Sequence, residues 1–167
     1  MSKILPNFDE LARFYPTLGT VDEIKAQIGG DVNQEHYKNS CIMRLSAALN
    51  STGQPIPADS AKFRTKRGKD GKWYGLRVAE FWEYMLLNYG KPTVHSPKGK
   101  RLNFNDFKGI RGIIGFRVHF KDATGHFTLC NGFNLLYGGD HFDYFGKAYE
   151  AALWEADGGA RFTEAAA

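Results

Sequence analysis

The chain has 167 residues, 43% of them hydrophobic and 24% charged, which is typical of one globular domain that buries a core without disulfides or metals. Its net charge of +4 is weaker than the bias of most nucleic-acid binders, although two basic segments, 62–72 and 98–101, are candidate contacts for an anionic polymer. Two cysteines exclude a disulfide framework and metal-ligand spacings such as C-x-x-C are lacking, so we expect no metal and no cofactor.

The N-terminal part of the chain contains two predicted helices and no targeting segment. Residues 1–10 lack the apolar run of a signal peptide, and no stretch is apolar enough to span a membrane, so we expect synthesis in the cytoplasm and no membrane insertion. A short helix is predicted for residues 8–15. A second helix begins at Thr20, because Thr followed three residues later by Glu forms a capping box, and it ends at Gly29.

A third helix begins at a cysteine, Cys41. Asn39 and Ser40 precede it and are good N-cap residues, because their side-chain oxygens can accept the unpaired amide protons of the first turn. Apolar residues follow at helical spacing until about Ser51: Ile42, Leu45, Ala48 and Leu49. A thiol at the positive end of a helix is expected to have a lowered pKa and to act as a nucleophile. Burial of Cys41 as a small hydrophobic residue is the alternative.

The middle of the chain contains a predicted hairpin and a long helix. Residues 54–70 are rich in turn residues and in positive charge, and the Asp70-Gly71 pair predicts a hairpin. A helix is predicted for residues 77–89, whose apolar residues share one face. Residues 93–108 are predicted to form a loop.

After residue 110 the pattern changes to β-branched and aromatic runs. Strands are predicted at 112–120, 125–130, 133–137 and 148–154, with Asn131-Gly132 as a two-residue turn between the second and the third. A helix is the alternative for the last segment, because it is rich in alanine. Helices first and strands later predict an α+β domain, with the N-terminal helices packed on one side of a meandering antiparallel sheet. We expect one domain over residues 1–167, with its core at about 20–155 and a frayed tail at 158–167.

A cysteine nucleophile needs a base, and five histidines are available. Four of them lie in predicted loops, in a turn or near a strand end: His36, His95, His119 and His141. His126 follows Gly125 at the start of a strand, from which its ring can project toward a helix N-terminus. Cys41 and His126 are therefore the candidate nucleophile and base, and a purely structural histidine is the alternative at position 126.

Six blocks occur in a recognisable order along the chain: 28–32, 39–50, 77–78, 90–92, 125–132 and 153–154. The cysteine block at 39–50 and the Gly-His block at 125–132 are specific when they occur together. With them the chain resembles the papain-like cell-wall peptidases of the NlpC type and, more closely, family 4 of the type VI secretion amidase effectors. The resemblance covers about residues 20–155.

The resemblance implies a papain-like catalytic domain that cuts the bond between D-glutamate and meso-diaminopimelate in peptidoglycan stem peptides. It also implies delivery by the type VI secretion machinery to the periplasm of rival Gram-negative cells, and a cognate periplasmic immunity protein that blocks the active site. By the same resemblance, Cys41 is the nucleophile and His126 is the general base and acid.

The third member of the catalytic set is an acid in related effectors. Strict pairing about Asn131-Gly132 would place Tyr137, which is not an acid, opposite His126. A longer loop brings the next acid level with the histidine, so we expect Asp140 to orient His126 and keep Asp143 in reserve.

Two other functions are compatible with the sequence. A housekeeping cell-wall hydrolase of the same fold would use the same residues without being a toxin. A basic nucleic-acid-binding module would use the segment at 62–72 instead, although the expectation from the resemblance is that no nucleic acid binds.

Overall fold

The computed structural model describes residues 2–119, 125–137 and 141–156, with only the backbone of residues 141–143. These residues form five α-helices: α1 (Phe8–Arg13), α2 (Val21–Ile28), α3 (Cys41–Ser51), α4 (Val78–Tyr89) and α5 (His141–Lys147). Single 3-10 turns occur at Gly30–Val32 and Phe104–Asp106. The predicted capping box of α2 is confirmed, because Thr20 Oγ accepts from the Glu23 amide at 3.2 Å and the Glu23 carboxylate accepts from the Thr20 amide at 3.3 Å.

Six strands are described: β1 (Thr65–Arg67), β2 (Trp73–Gly75), β3 (Val94–Ser96), β4 (Arg111–Arg117), β5 (Gly125–Asn131) and β6 (Glu150–Glu155). The first two form the predicted hairpin. The other four form an antiparallel sheet in the order β3-β6-β4-β5. The α+β class is therefore confirmed, but the predicted meander is wrong, since the last strand of the chain lies between β3 and β4.

The predicted third strand at 133–137 is wrong. Leu135 forms an isolated bridge to Cys130, and the Leu136 amide donates to the Leu129 carbonyl, but residues 133–137 form no strand. The turn before it is two residues longer than predicted, because the Asn131 side chain accepts from the Asn134 amide at 2.7 Å and the Asn131 amide donates to the Asn134 carbonyl at 3.0 Å. This polar side chain stabilises a wide turn in place of the tight one.

Two elements were missed from the sequence. Strand β3 lies in the predicted loop at 93–108, and three residues are too few to show a period. Helix α5 lies where only a turn was expected, and its rings of Tyr144 and Phe145 pack on Phe116 of β4, with centroids 5.2 and 5.1 Å apart. Helices therefore cover both faces of the sheet and not one.

Alternation along the strands divides the core into two layers. One face of the sheet, with Ile113, Phe127 and Trp154, packs against α1, α3 and α4. The other face, with Phe116 and Leu153, packs against α5 and the segment around Phe107. Helix α3 packs against β5, and the Cys41 thiol in its first turn contacts the Phe127 amide of that strand.

Within the described residues, none of the helices is both long and apolar enough to cross a membrane. The tail predicted at 158–167 lies outside the described residues, so the predicted extent of the domain is not tested at that end.

Candidate active site

The first turn of α3 places Cys41 and its backbone amide. Asn39 is confirmed as a cap, since its Oδ1 accepts from the Cys41 amide at 3.0 Å. Ser40 makes no capping bond. Its hydroxyl instead accepts from Nε of Arg44 at 2.9 Å, one helical turn along the chain.

The Cys41 thiol is buried, with 1% of the residue exposed. Burial raises the pKa of the thiol to about 11, although hydrogen bonds from the Phe127 and Ile42 amides and from Asn39 favour the thiolate. The predicted fall in the thiol pKa is therefore wrong for the free protein. The helix end does supply donors to the sulfur, but the loss of solvent outweighs them.

His126 lies second in β5 and is 5% exposed. Its Nε2 is 2.9 Å from the Tyr137 carbonyl oxygen, and because a carbonyl only accepts, Nε2 carries the proton. In the neutral ring Nδ1 is then unprotonated and able to accept one. The ring stacks on Tyr144 of α5, with centroids 4.5 Å apart and 12° between the planes. Burial lowers the pKa of His126 to about 4, assisted by the Arg44 charge and opposed by the bond to Tyr137, so the ring is neutral at pH 7.

The structure brings Cys41 and His126 to the same part of β5. The thiol contacts the backbone amide of Phe127, which is the residue after His126. The thiol therefore lies against the β5 backbone one residue from His126, and the roles of the two side chains stay a prediction.

Neither of the two acids expected beside His126 has a described side chain. Asp140 lies outside the described residues, and Asp143 lies in α5 at a position where only the backbone is described. In the described residues, the group that holds the His126 ring is the carbonyl of Tyr137. Sequence reasoning missed this role because a main-chain carbonyl has no side-chain signature.

Arg44 is fully buried and connects three parts of the site. Its guanidinium donates to three carbonyls of the loop after α1: Pro16, Leu18 and Gly19, at 3.1, 3.1 and 2.7 Å. It also donates to Ser40 and lies 3.6 Å from the centroid of the Tyr137 ring. Arg44 forms no ion pair with an acid of the described residues. The arginine holds the loop, the start of α3 and the segment that orients His126.

Comparisons with known proteins assign the family. Residues 37–154 match the family model described as "Type VI secretion system (T6SS), amidase effector protein 4", abbreviated Tae4. The chain belongs to the Tae4 family. The predicted family and the predicted amidase class are thereby confirmed.

Solved Tae4 structures are similar over nearly the whole chain. The Tae4 effector from Enterobacter cloacae is 30% identical, with 93% of this chain and 99% of that chain covered and a TM-score of 0.79. Tae4 in the Tae4–Tai4 effector–immunity complex from Salmonella Typhimurium is 30% identical, with 90% and 97% covered and a TM-score of 0.78. This chain therefore has the papain-like α+β fold of Tae4. Among curated proteins, none matches this chain in sequence.

One polar pair of this Tae4 family member was not predicted. The hydroxyl of Tyr15, at the end of the α1 segment, lies 2.9 Å from Thr128 Oγ1 on β5, and both residues are buried. Burial raises the pKa of Tyr15, so the phenol is neutral at pH 7. The Cys41 group raises this pKa further, whereas the Arg44 charge lowers it. The alternation of β5, which places Thr128 two residues after His126, was the available signal.

The described residues of this Tae4 family member form neither a disulfide nor a metal-binding cluster. Cys41 and Cys130 are both free and buried, so they form no disulfide with each other. Among the side chains that the structure describes, no three of the His, Cys, Asp and Glu residues come together as metal ligands would.

Proposed function

We propose that this protein is an antibacterial effector that hydrolyses the D-glutamyl–meso-diaminopimelate bond of peptidoglycan stem peptides with Cys41 as nucleophile. The observation that carries the proposal is the contact of the Cys41 thiol with the Phe127 amide of β5, because His126 is the preceding residue and its Nδ1 is free to accept a proton. Membership of an amidase effector family supports the same reaction class.

In the proposed reaction, Cys41 Sγ attacks the D-glutamyl carbonyl carbon while its proton passes to Nδ1 of His126. The tetrahedral intermediate collapses as His126 returns that proton to the leaving amine of meso-diaminopimelate, and the C–N bond breaks. Water then attacks the thioester with His126 again as base, which releases the D-glutamate carboxylate and restores the thiol.

The electrostatics of the free site favour proton transfer during the attack and not before it. The pKa of Cys41 is raised to about 11 and that of His126 is lowered to about 4, both chiefly by burial. The neutral thiol and neutral imidazole are therefore the resting forms near pH 7. His126 acts as a general base when the substrate is bound and not as the cation of a preformed ion pair.

The Cys41 amide is the proposed oxyanion donor. It points to Asn39 Oδ1 at 3.0 Å, so the developing oxyanion takes the place of this side-chain oxygen. We further propose that Asp140 is the acid that orients His126, with Asp143 in reserve, in addition to the Tyr137 carbonyl.

The proposed setting follows from the family and from its relatives. Tae4 proteins of Salmonella Typhimurium and Enterobacter cloacae form complexes with Tai4 immunity proteins. We propose that the present protein has a cognate immunity protein in the producer's periplasm, and that type VI secretion delivers it to the periplasm of target Gram-negative cells.

Digestion of purified muropeptides tests the reaction. We expect the wild type to cut between D-glutamate and meso-diaminopimelate, and we expect Cys41→Ala and His126→Ala to leave the stems intact. Cys130→Ala is the matched control, because Cys130 is also a free, buried cysteine but lies in the other core layer. Intact stems with the wild type, or cleavage by Cys41→Ala, would contradict the proposal.

Expression in a periplasm separates the two alternatives. If the protein is a toxic effector, the exported wild type stops growth and the exported Cys41→Ala variant does not. If it is a housekeeping hydrolase of the same fold, both the wild type and the variant are harmless. A nucleic-acid-binding module predicts salt-sensitive binding that survives Cys41→Ala.

A further inference from the structure

A basic cavity of about 880 Å³ opens beside the start of α3. Asn39 and Met43 line it on the helix side, together with His36, Tyr37 and Leu76. Four cationic side chains also line it: Lys38, Arg64, Lys66 and Arg77. No acidic side chain of the described residues lines it. Asn39 also accepts from the Cys41 amide through its Oδ1. This residue therefore connects the cavity with the proposed oxyanion donor.

The four cations are not equally compensated. Arg64 Nε lies 2.9 Å from Asp59, and Arg77 Nη1 lies 3.3 Å from Glu80, so both arginines already have acidic partners. Lys38 is exposed and Lys66 is half-buried in β1, and neither forms an ion pair within the described residues. The two lysines are therefore the cations of the cavity without a direct acidic partner among the described residues, although the Lys66 charge also acts on the Asp59 carboxylate.

The chemistry of the proposed substrate provides anions at the matching place. D-glutamate has two carboxyl groups, of which the bond to meso-diaminopimelate uses one. Meso-diaminopimelate also has two carboxyl groups, of which the chain beyond it uses at most one. A free carboxylate is therefore present on each side of the bond that Cys41 attacks, within a residue of the reacting carbonyl.

We propose that this cavity is a subsite for a free carboxylate of the stem peptide, which Lys38 and Lys66 bind next to the Asn39 end of α3. The inference rests on the proposed function for its ligand. It assigns the two lysines a role in substrate affinity and leaves the chemical step to Cys41 and His126. Binding of that carboxylate in a cavity beside the start of α3 fixes the peptide's register relative to the nucleophile.

Binding measured without turnover tests the subsite. The probe is the tripeptide L-Ala-D-Glu-meso-diaminopimelate, titrated calorimetrically into the Cys41→Ala protein. Adding Lys38→Gln and Lys66→Gln is expected to weaken binding about tenfold, the change for two partly exposed charge pairs, and to flatten the salt dependence. Lys98→Gln with Lys100→Gln is the matched control, since it removes two charges from the other basic segment and is expected to leave the affinity unchanged.

A chemical counterpart makes the test independent of protein variants. The tripeptide with its free carboxylates converted to amides is expected to bind the Cys41→Ala protein about tenfold more weakly, and to lose nothing further with the two lysine substitutions. Equal affinity for both peptides, or an equal loss from Lys98→Gln with Lys100→Gln, would overturn the subsite.

The subsite and the cleavage can fail separately. Wild type that cuts muropeptides while the lysine substitutions leave peptide affinity unchanged refutes the subsite alone. Lysine-dependent binding of the tripeptide by a protein that never cuts it supports the subsite and refutes the proposed reaction.

Discussion

Replacement of Arg44 by methionine removes the charge that joins the loop after α1 to the site while keeping an unbranched side chain. The guanidinium makes four hydrogen bonds, to Ser40 and to three loop carbonyls, and stacks on Tyr137. Each bond contributes about 1 kcal/mol net, and the stack contributes about 1–2 kcal/mol more in a desolvated site. Two effects offset part of this loss in the variant, because the loop carbonyls can bind water and no charge has to be buried. We therefore expect a net loss of about 3 kcal/mol in the free energy of unfolding.

The effect on activity has a separate cause. Without the cation against its ring, Tyr137 loses the contact that fixes the segment whose carbonyl holds His126. We expect kcat for muropeptide cleavage to fall at least about tenfold, at a temperature where the variant is still folded, with KM less affected. Urea unfolding followed by circular dichroism measures the stability, and mass spectrometry of the digests measures the rates.

Two further variants sharpen this prediction. Arg44→Lys keeps the charge but not the planar fork, so it is expected to recover part of the stability and part of kcat. Arg13→Met is the matched control, because Arg13 stacks on Phe14 at 5.4 Å on the exposed surface and should change stability by less than about 0.5 kcal/mol. Arg44→Met with wild-type stability and kcat would refute the reasoning.

Two other predictions concern buried polar groups. Burial lowers the pKa of His126 to about 4, so between pH 6.5 and 4 the unfolded chain binds a proton that the folded chain excludes. The free energy of unfolding is therefore expected to fall by about 3 kcal/mol as pH falls through that window. Urea unfolding should show a flatter pH dependence for His126→Gln than for the wild type. Parallel pH curves for the two proteins would contradict this prediction. The 2.9 Å bond between Tyr15 and Thr128 predicts a coupling of about 1 kcal/mol in a double-mutant cycle of Tyr15→Phe and Thr128→Val, and additive effects would show that the bond contributes nothing.

The parts of the fold that the sequence predicted well are those with local signals. The capping box at Thr20 and the Asp70-Gly71 turn are formed by residues within four positions of each other, and both are present in the structure. The long helix α4 shows its apolar face over twelve residues. Strand β3, with three residues, and helix α5, whose rings pack on Phe116 across the sheet, have no comparable local signal.

The hairpin after β5 shows why register is harder to predict than strand position. Asn131-Gly132 is a strong signal for a two-residue turn, yet the Asn131 side chain accepts two backbone amides and stabilises a wider one. This shift of two residues pairs Cys130 with Leu135 and leaves the chain free to present the Tyr137 carbonyl to His126.

The sequence by itself determined the positions of the two candidate reacting groups, a thiol at the first residue of a helix and an imidazole at the start of a strand, because caps and periods are local. It also predicted the family. Only the tertiary structure decided their surroundings. Packing of α3 against β5 removes the solvent around Cys41 and raises its pKa, which reverses what the helix end alone predicts. Packing of the loop after α1 and of the Tyr137 ring against α3 buries Arg44 among carbonyls, because solvent exclusion depends on contacts between elements far apart in the chain.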